Sequence, residues 1–413
     1  MDFSLSKEQE MLRKNVRDFA QKEVAPIAAE IDRLAKFPRE NVEKMAKLGL
    51  FGMIVPPPFG GTGMGLTSLL VAVEEIAAAC ASTAMVFSSQ VMMEQGLLAF
   101  GTDDQRRKYL PRLARGEMLA AESRTESVAS SDFAALECRA TPKGDQYILN
   151  GSKLFVCNAG EVDLYMVLAR TSEALGAAGL STLLVEKDTP GLEIGKTEDK
   201  LGLRGMPSRE IIFEDCGVPR ENLLGKEGMG APQVSAMGGT GALVVGAISV
   251  GIAQGAMEAA IRYAKERKAF DQTIGNFEAV QFMLGDMVMS IDATRLLIYR
   301  SAASVEKRQP NPIETFAAKI FSGQMVLKVT SNALQIFGGY GYTKDYPLER
   351  YFRDARAFTI YPLTQEIFRT NLGRMLLKLP LPWKGMPPMG PPGGPPKAGP
   401  SGKSHKTLGR TKS

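Results

Sequence analysis

Apolar residues change their spacing twice along this chain of 413 residues. They recur every three or four positions in the first part, alternate with polar residues in the middle, and then return to the first spacing. Spacing by three or four is typical of helices with one buried face, and alternation is typical of half-buried strands. The pattern predicts an α+β fold with an N-terminal helical domain (1–120), a middle antiparallel β domain (121–230) and a C-terminal four-helix bundle (231–379).

Local signals indicate where individual elements begin and end. Ser6 stands directly before the first helical run, where a hydroxyl can accept a hydrogen bond from a free backbone N–H group. In the alternating part, Gly144-Asp145 and Asn150-Gly151 are typical of tight turns between strands. The middle domain is therefore expected to be a β barrel of short strands joined by hairpins.

Residues 380–413 differ from the rest in composition. They are rich in Pro, Gly and Lys, and from residue 384 onward they carry six basic residues and no acidic one. Such a segment buries too little apolar surface to order itself, so a disordered tail is predicted. Because the whole chain has a formal net charge of +5, the remainder is close to neutral and gives no sign of a nucleic-acid partner.

The residue inventory excludes several kinds of site. The single histidine, His405, lies in the tail, so the body can hold neither a Ser-His-Asp triad nor a metal site with histidine ligands. Four cysteines without a Cys-x-x-Cys pair indicate reduced thiols in a cytoplasmic protein. No uninterrupted apolar stretch reaches the ~18–20 residues of a membrane span. We expect a cytoplasmic protein with no metal and no membrane span.

Seven segments carry a resemblance to a known family. In chain order they are TESVASSD (125–132), LNGSKLFVCNAGEVDLYMVLAR (149–170), LGLRGMPSREIIFEDCGVPRENLLG (201–225), GIAQGAMEAAIRYAKERKAF (251–270), QIFGGYGY (335–342), RYFRDAR (350–356) and YPLTQEIFR (361–369). Together they resemble the acyl-CoA dehydrogenases, from residue 1 to about 378. The resemblance implies an α–β–α subunit, a homotetramer, bound FAD, a CoA thioester as ligand and an electron-transferring flavoprotein as oxidant.

The resemblance also implies roles for single residues. Thr125, Phe155 and Cys157 match positions beside the flavin ring, with Cys157 where a hydroxyl is usual, although Phe155 and Cys157 would equally suit a β core. A group that holds the ADP half of FAD across a subunit contact is matched by Arg267, Phe270, Gln335, Gly338 and Gly339. The residue type of Arg267 also suits a solvated helix face. The last flavin-side contacts fall on Thr364 and Glu366, and a substrate contact falls on Ser131.

The sequence departs from the family where a base is expected. Tyr361-Pro362-Leu363-Thr364 stands in place of Tyr-Glu-Gly-Thr, whose Glu takes the α-proton and whose N–H binds the thioester oxygen. Proline has neither a carboxylate nor an N–H group, and loss of one such donor costs ~3–4 kcal/mol of transition-state stabilisation. The second base position known in the family falls on Gly241. Ordinary α,β-dehydrogenation is therefore not expected.

Three functions remain open. The first is FAD-dependent dehydrogenation of a cyclic or unsaturated CoA thioester by a relocated base, for which Glu94 and Glu122 are the candidates, since a buried carboxyl has a raised pKa that suits base catalysis. A solvated helix position explains Glu94 equally well. The second is a catalytically silent subunit that binds acyl-CoA or assists a partner. The third is a flavin-dependent oxygenase on the same scaffold.

Overall fold

The computed structural model describes residues 4–174 and 176–379, so the predicted tail at 380–413 lies outside the described residues. Helices occupy both ends of the described chain and strands occupy its middle, which confirms the predicted α+β order. The first six helices are α1 (Lys7–Phe19), α2 (Ala28–Leu34), α3 (Arg39–Lys47), α4 (Leu66–Ala79), α5 (Ala81–Phe100) and α6 (Asp103–Ala114).

The first helix begins where its predicted capping residue stands, and α6 begins with a cap of the same kind. Ser6 accepts a hydrogen bond from the backbone of Gln9, whose side chain bonds back to the backbone of Ser6. Thr102 and Gln105 form the same reciprocal pair at the start of α6. Each pair satisfies two backbone N–H groups that a helix start leaves free. Cys80 has an extended backbone and separates α4 from α5.

The strands form one sheet in the middle of the chain. They are β1 (Ala120–Ser123), β2 (Arg139–Lys143), β3 (Gln146–Cys157), β4 (Leu164–Arg170), β5 (Leu180–Glu186), β6 (Leu192–Thr197) and β7 (Ser208–Pro219). The order is β1-β4-β2-β3-β7-β6, with β5 paired to β4. Most pairs are antiparallel, as predicted, but β1 enters from the helical part and pairs in parallel with β4. Among the described strands, no hydrogen bonds join β1 to β6, so the expected barrel is open there.

One of the two predicted turns is wrong. Gly144-Asp145 does form the hairpin between β2 and β3. Asn150-Gly151 lies instead inside β3, where the pairing with β7 shifts register. The Asn150 side chain bonds the backbone N–H of Asp215 across the shift at 2.8 Å, and Gly151 adopts φ +129° against Cys138. An Asn-Gly pair thus marks a bulge here because its tertiary partners favour continued pairing.

Three long helices and two shorter ones complete the fold: α7 (Gly230–Glu266), α8 (Glu278–Glu306), α9 (Pro312–Phe337), α10 (Leu348–Ala357) and α11 (Gln365–Leu376). A short hairpin of β8 (Lys268–Ala269) and β9 (Gln272–Thr273) follows α7. Of the helices in the described ranges, α7 has the length and apolar composition to cross a membrane, but 78% of its most apolar 18-residue stretch is buried inside the protein.

Glycine allows α7 to lie directly against α4. A Cβ atom at Gly251 would overlap the backbone carbonyl oxygen of Glu74, and one at Gly255 would overlap that of Ala78. Backbone atoms cannot move aside as a flexible side chain can. The helix pair therefore depends on these two positions having no side chain.

A pair of substitutions on α7 tests this close approach. We expect Gly251→Ala to lower the free energy of unfolding by ~1–3 kcal/mol, the usual cost of overpacking. Gly238→Ala is the matched control, because no atom lies within 4 Å of its added Cβ and alanine favours the helix by up to ~1 kcal/mol. Chemical denaturation of both variants measures the difference. Equal stability of the two variants would contradict the packing argument.

Candidate active site

A cavity of about 60 Å³ lies between α5, α7, the end of β1 and the turn before α11. Both positions at which the resemblance implies a base, Gly241 and Pro362, line it. The apolar part of the lining comes mainly from the two helices: Met85, Met92, Val234, Met237, Val244 and Val245. The polar part is contributed by Ser88, Ser89, Glu122, Arg124 and Tyr361.

Glu122 and Arg124 supply the charges of this cavity. They are two residues apart where β1 ends, so their side chains leave the same face of the extended chain, while the intervening Ser123 is fully buried on the other face. Arg124 Nη2 donates to the carbonyl oxygen of Pro362 at 3.2 Å. Arg124 Nη1 and Glu122 Oε1 are 3.7 Å apart, and these side chains are 13% and 31% exposed. Arg124 was not predicted as a site residue, although its spacing of two residues from Glu122 would place both side chains on the same face of a strand.

A buried ion pair fixes the backbone that follows β1. Lys153 Nζ lies 2.6 Å from Glu126 Oε1, and the two side chains are 0% and 5% exposed. The Glu126 carboxylate also accepts two backbone N–H groups, at 2.6 and 3.1 Å. Lys153 Nζ is 3.3 Å from the carbonyl oxygen of Arg124, and Leu154 N–H donates to that of Thr125 at 2.7 Å. These contacts attach residues 124–126 to β3.

Thr125, Phe155 and Cys157 are brought together by that attachment. Phe155 lies at a register shift of β3 with φ +53°, a left-handed backbone that non-glycine residues rarely adopt. Its side chain is 58% exposed, so it is not part of the β core. Burial raises the pKa of the Cys157 thiol to about 11, so at neutral pH this side chain is a neutral hydrogen-bonding group rather than a thiolate.

The residues matched to the ADP half of FAD lie at one end of the C-terminal helices. Arg267 ends α7 and its guanidinium lies 5.7 Å from the ring centre of Tyr340. Phe270 follows, 89% exposed and with φ +52°. Gln335 is in the last turn of α9, and Gly338 ends that helix with φ +57°. Gly339 has open space around it. Arg267 is itself exposed, as a solvated helix position would also be.

The turn that carries Tyr361 and Pro362 is held by a buried lysine. Lys319 is fully buried on α9, and its Nζ donates to the carbonyl oxygen of Phe358 at 2.6 Å. Burial lowers the pKa of Lys319 to about 7. Gln365 N–H bonds the carbonyl oxygen of Thr359 at 3.1 Å, which closes the turn before α11. Sequence reasoning missed Lys319, because nothing local distinguishes it from a solvated lysine.

The remaining predicted contacts lie on loops and a helix start. Thr364 precedes α11 as its N-cap residue, and Glu366 is exposed in the first turn, 3.3 Å from Arg369. Ser131 is half-buried in the loop between β1 and β2. In the same loop, Thr125 Oγ1 is 3.5 Å from Ser130 Oγ.

Domains of one enzyme family match this chain in order. The acyl-CoA dehydrogenase N-terminal, middle and C-terminal domains match residues 6–117, 121–216 and 228–377. The short-chain specific acyl-CoA dehydrogenase of Clostridium acetobutylicum is 41% identical over 368 residues, which are 89% of this chain and 97% of that protein. The chain belongs to the acyl-CoA dehydrogenase family. The predicted resemblance is thereby confirmed.

Solved structures of acyl-CoA dehydrogenases have the same fold. Butyryl-CoA dehydrogenase from Megasphaera elsdenii is 36% identical, with a TM-score of 0.89 over 91% of this chain and 100% of that one. A chain from the structure of the electron transferring flavoprotein of Acidaminococcus fermentans is 41% identical, with a TM-score of 0.90 over 92% of this chain and 100% of that one. The predicted fold class is confirmed by these neighbours.

Acyl-CoA dehydrogenases depend on FAD, and the surroundings of Phe155 fit this cofactor. A planar aromatic side chain is held at the surface in a strained backbone conformation, which persists only where its neighbours fix it. Thr125, bonded through its backbone to Leu154, and Cys157, at the end of β3, add a hydroxyl and a neutral thiol nearby. Such a group suits the ring of a flavin, which needs an apolar face and hydrogen-bonding groups at its edge.

Glu94 lies apart from the cavity. It is fully buried on α5, so it is not a solvated helix residue, and neither carboxylate oxygen has a hydrogen-bond partner within the described residues. Because helical residues are rotated by about 100° from one to the next, Glu94 points about 140° away from Ser89, which lines the cavity. Burial raises the pKa of the Glu94 carboxyl well above its usual value of 4.5.

The raised pKa of Glu94 predicts a pH-dependent effect on stability. Glu94 is harder to ionise in the folded state than in the unfolded state. Its contribution to the free energy of unfolding is therefore fully present below pH 4.5 and is lost as the pH rises toward its folded-state pKa. We expect Glu94→Gln to raise the melting temperature relative to the wild type, by an amount that grows from about pH 5 to pH 8. Glu30→Gln, at an exposed position of α2, is the control. A difference in melting temperature between wild type and Glu94→Gln that stays the same at every pH would contradict this account.

Proposed function

We propose that this acyl-CoA dehydrogenase acts on a CoA thioester whose acyl group is cyclic or already unsaturated, and that Glu122 takes the proton. The observation that carries the proposal is the position of Glu122 in the cavity lined by Pro362 and Gly241. Of the residues that line this cavity within the described ranges, Glu122 is the one with a carboxylate. Glu94 is the weaker candidate, because its side chain points away from the cavity.

The chemistry follows from where Glu122 is placed. One C–H bond of the acyl group breaks as its proton passes to the Glu122 carboxylate, a second breaks as hydride leaves with two electrons, and a C=C bond forms. FAD, when bound, supplies the acceptor for that hydride. Since the positions implied for an α-proton base hold Pro362 and Gly241, a proton farther from the thioester is the one to be removed. Conjugation acidifies such a proton in a ring or an enoyl group.

A second candidate function is a silent subunit that binds acyl-CoA without oxidising it. The observation that favours it is the contact of Glu122 with Arg124, because an ion pair can occupy the carboxylate that would otherwise take a proton. The pair is open at 3.7 Å, beyond hydrogen-bonding distance. This spacing leaves Glu122 able to accept a proton and supports the enzyme over the silent subunit. A flavin-dependent oxygenase is retained as an outcome of the experiment below.

We further propose that the protein is a cytoplasmic homotetramer that passes electrons to an electron-transferring flavoprotein. Phe282, Met289 and Leu296 are 70%, 63% and 47% exposed on α8. Their spacing of seven residues aligns them as an apolar stripe, which is typical of a helix that packs against another subunit. All four cysteines are free thiols, as is usual in a reducing compartment. The likeness to a chain from the flavoprotein structure of Acidaminococcus fermentans supports the electron acceptor.

The cofactor and the assembly are tested together on the purified protein. We expect a yellow protein with about one FAD per chain and the mass of a tetramer in light scattering. Phe282→Asp combined with Met289→Asp should yield smaller species, because each charge would be desolvated at the stripe. Met11→Asp, at an equally exposed position of α1, should remain tetrameric. A colourless protein that takes up no FAD would contradict the expectation that FAD is bound.

The base is tested by mixing the enzyme anaerobically with a panel of acyl-CoAs and following the flavin absorbance. A cyclic enoyl-CoA should bleach the wild type, while butyryl-CoA and octanoyl-CoA should bleach it slowly or not at all. Glu122→Gln should slow bleaching by at least ~100-fold, the lower range for loss of a general base. Glu94→Gln is the matched control and should bleach at the wild-type rate.

Other outcomes would assign a different function. Rapid bleaching by butyryl-CoA would mean that a base reaches the α-proton after all. Tight binding of every thioester without bleaching would favour the silent subunit. Oxygen uptake stimulated by a thioester would favour the oxygenase.

A further inference from the structure

Assigning the base to Glu122 leaves the neighbouring guanidinium of Arg124 without a function in the cavity. We propose that its guanidinium donates hydrogen bonds to the carbonyl oxygen of the bound thioester and stabilises the negative charge that forms there when the proton leaves. The inference rests on the proposed function, because it takes a CoA thioester to be the ligand of the cavity. It adds a catalytic group and restricts the substrate class.

The described residues use only part of the hydrogen-bonding capacity of the Arg124 side chain. A guanidinium carries five N–H donors in a fixed fork. Nη2 bonds the Pro362 carbonyl oxygen at 3.2 Å, and Glu122 is too distant, at 3.7 Å, to accept a normal hydrogen bond. In contrast, Ser88 Oγ donates to the carbonyl oxygen of Ala84 at 2.7 Å and is already engaged. Among the described residues, Arg124 therefore keeps N–H donors without an acceptor while it lines the cavity.

The backbone at this wall offers an acceptor rather than a donor. Pro362 has no N–H group, and its carbonyl oxygen is the group that bonds Arg124. This bond fixes the guanidinium beside the turn, while the ion pair of Lys153 with Glu126 fixes the backbone that carries it. A positioned cation that is only 13% exposed stabilises a new negative charge strongly, since little water screens it and little reorganisation is needed.

The pairing of Glu122 with Arg124 indicates which ligand suits the cavity. Before reaction, the carboxylate of Glu122 balances the guanidinium. When Glu122 accepts the proton it becomes neutral, and the negative charge moves to the carbonyl oxygen, so the cavity has the same net charge before and after the transfer. A substrate with its own carboxylate would place a second anion beside Glu122, which is unfavourable. The acyl group is therefore uncharged, in keeping with the methionine and valine lining.

The test uses the FAD-loaded enzyme and acetoacetyl-CoA, whose enolate has its own ultraviolet absorbance and forms without hydride transfer. The pH at which half of the bound ligand is enolate should lie below that of the free ligand in wild type. Arg124→Met should raise this midpoint by about 2 pH units, equivalent to the ~100-fold effect of removing one donor to an oxyanion. Arg124→Lys should raise it less, because the charge is retained. Glu122→Gln, which removes the neighbouring negative charge, should lower it.

Three results would overturn the inference. An equal midpoint in wild type and Arg124→Met, with the ligand bound in both, would show that Arg124 is not the donor. A midpoint for the bound ligand no lower than that of free acetoacetyl-CoA would do the same and leave the proposed function intact. Failure of acetoacetyl-CoA to bind the wild type would overturn both. FAD content and circular dichroism check that each variant folds, and Arg124→Lys decides the matter if Arg124→Met does not.

Discussion

Lys153 and Glu126 form a buried ion pair, and the geometry of the site depends on it. Removing two opposite charges from water is costly, and the attraction between them offsets this cost only with good geometry and additional hydrogen bonds. Here the carboxylate accepts two backbone N–H groups besides the lysine. Loss of one partner from such a pair costs about 3–5 kcal/mol. The loop carrying Arg124 and Thr125 is thus held on β3 by a contact that tolerates little movement.

The two halves of the cavity differ because different elements form them. The faces of α5 and α7 contribute methionine and valine, and the close contact of α7 with α4 at Gly251 and Gly255 fixes where its wall lies. The charges come from the end of β1, outside the helices. In the proposed mechanism, the helix position Gly241 has no carboxylate, and Glu122 on the extended segment of β1 supplies one instead. Glu122 and Arg124, which we propose as proton acceptor and oxyanion donor, share this one rigid support.

Much of the fold follows from the sequence because it is encoded locally. Helical spacing, the caps at Ser6 and Thr102, and the Gly144-Asp145 hairpin need only neighbours within a few positions. The parallel pairing of β1, the bulge at Gly151 and the buried Lys319 depend on partners far away in the chain. The same is true of the site: the resemblance identified Pro362 and Gly241, but the bond from Arg124 to Pro362 spans 238 positions, and no local pattern indicates it.

Glu94 and Glu122 show why burial alone does not identify a base. Both were candidates by residue type and neighbourhood. Glu94 has the raised pKa expected of a buried acid, yet its carboxylate has no hydrogen-bond partner among the described residues and points away from the cavity. The Glu122 side chain is 31% exposed and lies 3.7 Å from Arg124, so both water and the guanidinium can contact its carboxylate. A base must also face the acyl group, and of these two carboxyls Glu122 is the one that lines the cavity.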